Sequence, residues 1–357
     1  MNIFEAIVAL SKNSLNDQEC NEIENYLIRG ADWDLLIGQL FFHKIVCRAY
    51  KHFAVQEWLD FIPPAIRWSW QRQFDLNEYK NNLRKNDFTN LLNTFNKENI
   101  RYCIIKGFPI EKDLFINSVR EFNDTDLMVH FRDFESVNKT LTNLGYSRGI
   151  YNSSQHKIEI DRHTDIFHIV NTHQTVPYRK LSDDPLFRFD TIDLQFELTL
   201  QKKYNFDIDV DLLLNDRVSI DVFDKSCFTL NPFDNFIMLC THLYGEAILI
   251  QEIKKYKDLQ LMKFADIYEW IEKYYNLYNW EEKIEYITSH GLLKPVLYCL
   301  HILSNLYASI GSKNICLYMG EQDLSFLDEY RDEYFNVKKW NVPVMDRIFR
   351  VDKFKML

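Results

Sequence analysis

The chain has 357 residues, about two domains' worth at ~150 residues each, and its 46% hydrophobic and 26% charged residues lie near the globular average, which excludes disordered and fibrous classes. Aromatic residues reach 15% while glycines number only 9, a balance that favours helices and bulky packing over a turn-rich β architecture. Lys plus Arg total 42 against 52 Asp plus Glu; a net charge of −10 lacks the basic excess that displaces counterions from a phosphate backbone, and so argues against long nucleic acid as the main partner.

The N-terminal stretch MNIFEAIVALSKN carries Glu5 and no basic region, so it does not read as a signal peptide. No apolar run approaches the ~20 residues that cross a bilayer. A soluble, cytoplasmic protein with no membrane partner is expected. The seven cysteines are scattered, never spaced C-x-x-C, and mostly sit in apolar runs, which predicts reduced buried thiols rather than disulfides or a zinc site.

Residues 1–98 read as an N-terminal helical region. In DWDLLIGQLFFHKIV, Trp33, Ile37, Leu40 and Phe41 recur at helical spacing behind Asp32, a good N-cap. Pro63-Pro64 breaks the chain and opens a long segment whose apolar stripe is Leu83, Phe88, Leu91, Leu92 and Phe95. An α/β core is expected over 99–230. RYCIIKG is short, apolar and stops at glycine, giving a buried strand at 100–105; Pro109 then starts a helix. DTDLMVHF alternates, with Asp124, Asp126, Met128 and His130 on one face and Thr125, Leu127, Val129 and Phe131 on the other. Asp133 caps a helix that Gly145 ends. Further strands are expected at 157–161, 165–170 and 192–200, and helices return over 231–357. A faint echo links Trp33, Ile37, Leu40 and His43 to Trp280, Ile284, Ile287 and His290, which suggests two similar helical hairpins.

The chemistry centres on Lys106-Gly107 followed by Asp124-Thr125-Asp126. Two carboxylates at i and i+2 on a strand point the same way, ~6–7 Å apart at Cα, where their repulsion becomes favourable once a divalent cation sits between them. Hard oxygen ligands suit Mg²⁺ or Mn²⁺, which bridge to substrate phosphates. Gly107 lets backbone N–H groups approach a phosphate, and Lys106 neutralises its charge. An Asp-x-Asp pair alone is more often a solvated strand edge; the order strand, Lys-Gly, helix, strand with Asp-x-Asp is what raises the metal reading.

The blocks IRYCIIKGFPIEKDLF and REFNDTDLMVHFRDFESVNKTLTNLGY resemble the uncharacterised nucleotidyltransferase family of the polymerase-beta-like superfamily. The matching positions are Lys106-Gly107, Arg120, Asp124, Asp126 and Gly145-Tyr146, and the resemblance extends through ADWDLLIGQLFFHKIV, LNPFDNFIMLCTHLY with His242, and LMKFADIYEWI. It implies an α+β fold, a small mixed sheet flanked by helical N- and C-terminal parts. The implied reaction is transfer of a nucleoside monophosphate from an NTP to an acceptor. Asp124 and Asp126 would hold the metals, and Lys106, Gly107 and Arg120 would hold the phosphates. The sequence departs from the superfamily's Gly-Ser, since Phe108 follows Gly107. A third carboxylate is expected on TIDLQFELTL, where Asp193, Gln195 and Glu197 share one face; Glu197 is favoured as base or third metal ligand, with Asp193 the alternative.

Competing features have blander readings. Arg120 pairs with a carboxylate as readily as with phosphate. His130 suits a rim, His242 a satisfied core histidine, and Asp207, Asp209 and Asp211 a solvated edge or helix cap. His156, His163, His168 and His173 crowd one stretch without any zinc-binding pattern. The expected function is Mg²⁺- or Mn²⁺-dependent nucleotidyl transfer from an NTP to a small-molecule, peptide or protein acceptor. The alternative is a catalytically degenerate core that binds a nucleotide or a partner without turnover.

Overall fold

The computed structural model describes residues 1–115, 119–198, 208–311, 313 and 323–353. They form an α+β protein of two compact units, Met1–Phe74 with Leu114–Glu121 and Leu239–Leu357, and Asp75–Asp113 with Phe122–Met238. No helix among the described residues is long and apolar enough to cross a membrane. Cys47, Cys103, Cys227, Cys240 and Cys299 are buried free thiols and Cys20 is half-buried; Cys316 lies outside the described residues.

The first unit is mainly helical, and departs from the helices expected over 231–357 by one antiparallel ribbon, Glu329–Arg331 with Val337–Lys339. Asp32 caps helix Trp33–Phe42 by accepting from Leu35 N–H at 3.0 Å, as its position in the sequence suggests. That helix and Trp280–Ser289 end alike. His43 and His290 occupy the C-cap, and the next residue, Lys44 or Gly291, takes positive φ (54° and 72°). Ile45 N–H then reaches Leu40 O at 3.0 Å and Leu292 N–H reaches Ile287 O at 2.8 Å, the same Schellman closure at both sites. A second helix follows each closure, Val46–Val55 and Leu293–Leu306, so the repeated Trp-x-x-x-Ile pattern marks two alike hairpins.

The second unit carries the sheet. Its strands are β1 (Cys103–Ile104), β2 (Thr125–Met128), β3 (Ser147–Arg148), β4 (Ile150–Asn152), β5 (Lys157–Glu159), β6 (Tyr178–Leu181), β7 (Phe189–Gln195), β8 (Val218–Val222) and β9 (Lys225–Thr229). Five of them form a sheet in the order β1-β2-β7-β6-β3; β2 and β7 run parallel and the other pairs antiparallel. β4 pairs with β5 and β8 with β9 as separate ribbons. The core gathers Phe88, Leu91, Leu92 and Phe95 from helix Pro64–Lys97, Leu127 and Val129 from the β2 stretch, Val137 and Leu141 from helix Phe134–Asn143, and Ile192 and Leu194 from β7.

Several expectations fail here, among them the cap at Asp133, whose side chain makes no capping hydrogen bond to helix Phe134–Asn143. Residues 165–170 are not a strand but lie in helix Arg162–Asn171. Asp161 caps it, accepting from His163 N–H at 3.3 Å and Thr164 N–H at 3.1 Å. Ile166, Ile169 and Val170 stand at i, i+3 and i+4, a helical period that an apolar tally alone hides. On helix Pro64–Lys97, the inward place assigned to Leu83 belongs to Arg84, which is 4% exposed while Leu83 is half-buried. The strand expected over 192–200 begins earlier, at Phe189, and closes at Gln195; residues 199–200 lie outside the described residues.

Candidate functional site

β1 and β2 pair through Cys103↔Met128 and Ile104↔Leu127, and Ile105 N–H donates to Asp126 O at 3.0 Å. The chain then turns at Gly107, whose φ of +71° suits a residue without Cβ, and enters helix Phe108–Leu114. Space does not dictate the glycine, since an added Cβ would meet Phe122 Cδ2 at an ordinary 3.5 Å. The pleat of β2 sends Leu127 and, just beyond it, Val129 into the core, both fully buried. Asp126 takes the opposite face and is buried, while Asp124 lies half-buried in the bend just before β2, outside the strand expected from its alternation. Lys106 Nζ donates to Asp126 Oδ1 at 2.8 Å, with the two side chains only 11% and 9% exposed. In so sheltered a place the charge-assisted bond is strong, and it holds the Asp126 carboxylate in one orientation.

The parallel neighbour adds more acids. Thr125 registers with Ile192, Asp126 with Asp193 and Met128 with Gln195. Residues level on adjacent strands share a face, ~4.8 Å apart, so Asp193 stands beside Asp126. Arg179 on β6 registers with Thr191 and thus shares that face too. Burial lowers the Arg179 pKa and the charge of Asp193 raises it. Glu197 lies beyond the end of β7, 45% exposed, with its Oε2 2.7 Å from Nδ1 of the buried His173. The His173 carbonyl accepts from Phe196 N–H at 2.8 Å, and Gln174 Nε2 donates to Gln195 Oε1 at 3.1 Å. The face therefore carries Asp126 and Asp193, with Asp124 in the bend that leads into β2 and Glu197 paired with His173 beyond the end of β7. Among the described residues, no group of three or more His, Cys, Asp and Glu side chains is gathered to hold a metal ion.

The profile of a family described as uncharacterised nucleotidyltransferase matches residues 29–308. The chain belongs to this nucleotidyltransferase family. A comparison with curated proteins gives no match.

The other residues singled out in the sequence take up different roles. Arg120 lies in the first unit and grips Asp266 of helix Leu261–Tyr274, with Nε at 3.1 Å from both oxygens and Nη2 at 2.8 Å from Oδ2. Both residues are buried, and the carboxylate this arginine grips there is that of Asp266. Asp209 caps helix Val210–Asn215, and Asp211 is held by Arg101 at 2.5 Å, by Arg132 at 2.8 and 2.9 Å, and by His130 Nε2 at 3.8 Å. Those two acids thus serve a helix start and an arginine cluster; Asp207 lies outside the described residues. His242 faces Glu246 at 3.3 Å on its own helix.

Sequence reasoning did not single out Arg179 or the His173–Glu197 pair, nor a buried trio of Arg84, Asp190 and Tyr146. The signal for Arg179 was its parity with Asp193 across β6 and β7, which needs the strand register to be known. The signal for Arg84 was a charge on the inward face of a helix.

Proposed function

We propose that this nucleotidyltransferase-family protein moves a nucleoside monophosphate from an NTP to a small-molecule, peptide or protein acceptor, with a divalent cation held by Asp124 and Asp126. The observation that carries this reading is the register Asp126↔Asp193, which puts a further carboxylate level with Asp126 on the neighbouring strand. The donor set fits a small hard cation, since every side chain it offers is a carboxylate oxygen. When bound, Mg²⁺ or Mn²⁺ supplies Lewis-acid stabilisation of the charge that builds on the transferring phosphate. Asp193 joins the pair as the third carboxylate in this reading, and Glu197 acts as the base. The Glu197–His173 pair takes the proton of the acceptor nucleophile as its oxygen or nitrogen bonds to the α-phosphorus and pyrophosphate leaves. Lys106, anchored on Asp126, neutralises phosphate charge at the turn that Gly107 makes. The work is mostly positioning and charge neutralisation, which a few acids and one lysine can perform.

A second reading rests on the same Lys106–Asp126 bond. A carboxylate already neutralised by an ammonium suits a core that binds a nucleotide without turnover. Calorimetric titration of each NTP with Mg²⁺ or Mn²⁺, repeated on an Asp124→Asn, Asp126→Asn double variant, separates the possibilities. Metal-dependent binding of one NTP, lost in the double variant, supports transfer and justifies an acceptor screen. Binding that ignores both metal and variant supports the degenerate module. No binding of any NTP removes the transfer reading.

A further inference from the structure

Helix Pro64–Lys97 carries one charged residue deep into the second unit, next to the entry of the carboxylate strand. Arg84 Nη1 donates to Phe122 O at 2.9 Å and to Asn81 Oδ1 at 3.1 Å, while Nη2 reaches Asn123 O at 3.4 Å. Its Nε lies 3.8 Å from Asp190 Oδ1. The other oxygen of Asp190 accepts from Tyr146 O–H at 2.6 Å, and all three residues are 2–4% exposed. The guanidinium also sits 5.6 Å from the Phe122 ring and 5.1 Å from the Phe187 ring.

The placement matters because of what the two carbonyls belong to. Phe122 and Asn123 directly precede Asp124, and β2 with its ladder bonds begins only at Thr125. The approach to Asp124 is therefore not held by sheet pairing, and a buried carbonyl such as that of Phe122 needs a donor. Asp190 lies on β7 three residues before Asp193, on the core face of the strand. One guanidinium thus fastens the backbone entering Asp124 and is itself anchored to the strand that bears Asp193.

We propose that Arg84 is the positioning residue of this site: it fixes the backbone of residues 122–124, and with it the Asp124 carboxylate, relative to β7. The inference rests on the transfer reading for its purpose, while its geometric content can be tested apart from that reading. Lysine keeps the charge opposite Asp190 but offers one ammonium instead of a planar fork, so it cannot span two carbonyls and a carboxylate in the same way.

The test pairs two readouts on Arg84→Lys and on the milder Asp190→Asn, which keeps a partner for Tyr146 while removing the charge that anchors the guanidinium. The first is backbone amide hydrogen exchange of the peptide covering residues 119–127. The second is calorimetric affinity for NTP with Mn²⁺. Arg84→Lys should speed exchange in that peptide with little change in the rest of the sheet, and weaken Mn²⁺-dependent NTP binding about tenfold; Asp190→Asn should shift both in the same direction by a few-fold. Unchanged exchange in folded Arg84→Lys overturns the proposal, whatever the affinity does. Should Arg84→Lys fail to fold, unchanged exchange and affinity in Asp190→Asn overturn it instead. If the wild-type protein binds no NTP, the transfer reading falls while the exchange arm still decides the role of Arg84.

Discussion

Glu269 shows how burial, with a lesser push from the charge of Glu272, sets a pH dependence. Burial pushes its carboxyl up to about 7 from an ordinary 4.5, against the pull of the Asn13 N–H, Arg48 and Lys12. The Asn13 N–H donates to its Oε1 at 2.7 Å. A carboxyl whose folded pKa is raised binds its proton more tightly in the native state than in the unfolded chain. Its contribution to stability is therefore intact below pH ~4.5 and lost as pH rises through ~7. Glu269→Gln keeps an oxygen for the Asn13 N–H and removes the charge. At pH 8 the variant should be more stable than wild type by roughly 1–3 kcal/mol, and at pH 5 the two should melt nearly together. Thermal melts at the two pH values check this, and equal differences at both would rule it out. At this scale, sequence legibility followed range. The turn at Gly107 and the strand that carries Asp126 were readable because a turn glycine and an alternating strand are local patterns, while the bend at Asp124 was not. The level pairing of Asp193 with Asp126 was not, because register between strands more than sixty residues apart is set by packing and not by either strand alone.

The helix ends offer a second test, at the scale of elements. Lys44 and Gly291 hold equivalent C-terminal positions at φ of 54° and 72°, yet only glycine enters that region without steric cost. Lys44→Gly should stabilise the protein by about 1 kcal/mol, a rise in Tm of roughly 2–4 °C, and Gly291→Ala should lower it by a similar amount. Opposite shifts from the paired variants, read by calorimetry, would confirm the shared closure. Equal shifts of one sign would show that side-chain contacts outweigh the backbone at these two turns. The caps at Asp32 and Gly145 were legible because a single residue type satisfies a local hydrogen-bonding need. Helix Arg162–Asn171 was missed although Asp161 gives the same kind of signal, since a short apolar run fits a strand and a helix alike. Arg84 was missed for the reverse reason. Its inward position is clear from the helical period, but a charge there becomes intelligible only once Asp190 and the two carbonyls are known to meet it.

For the whole molecule, the decisive fact is that the sheet's core begins before the sheet's sequence does. The second unit starts at Asp75, and Phe88, Leu91, Leu92 and Phe95 of the preceding helix are each 3% exposed or less against it. Burying four such side chains contributes ~1.5–3 kcal/mol apiece, a total of roughly 6–12 kcal/mol. That sum is as large as the whole net stability of an ordinary domain, about 5–15 kcal/mol. A fragment spanning residues 99–230, where the α/β pattern is visible in the sequence, lacks all four and also lacks Arg84. It should show no cooperative thermal transition and should bind a hydrophobic dye, whereas a fragment spanning residues 75–238 should melt cooperatively. Circular dichroism melts of the two fragments make the comparison, and a sharp transition in the shorter one would show that the strands hold without the helix. The same comparison bears on the site. If the helix is needed to complete the core, then the residue it inserts beside Asp124 arrives with the fold itself, and the carboxylate face cannot form before the helix that braces it.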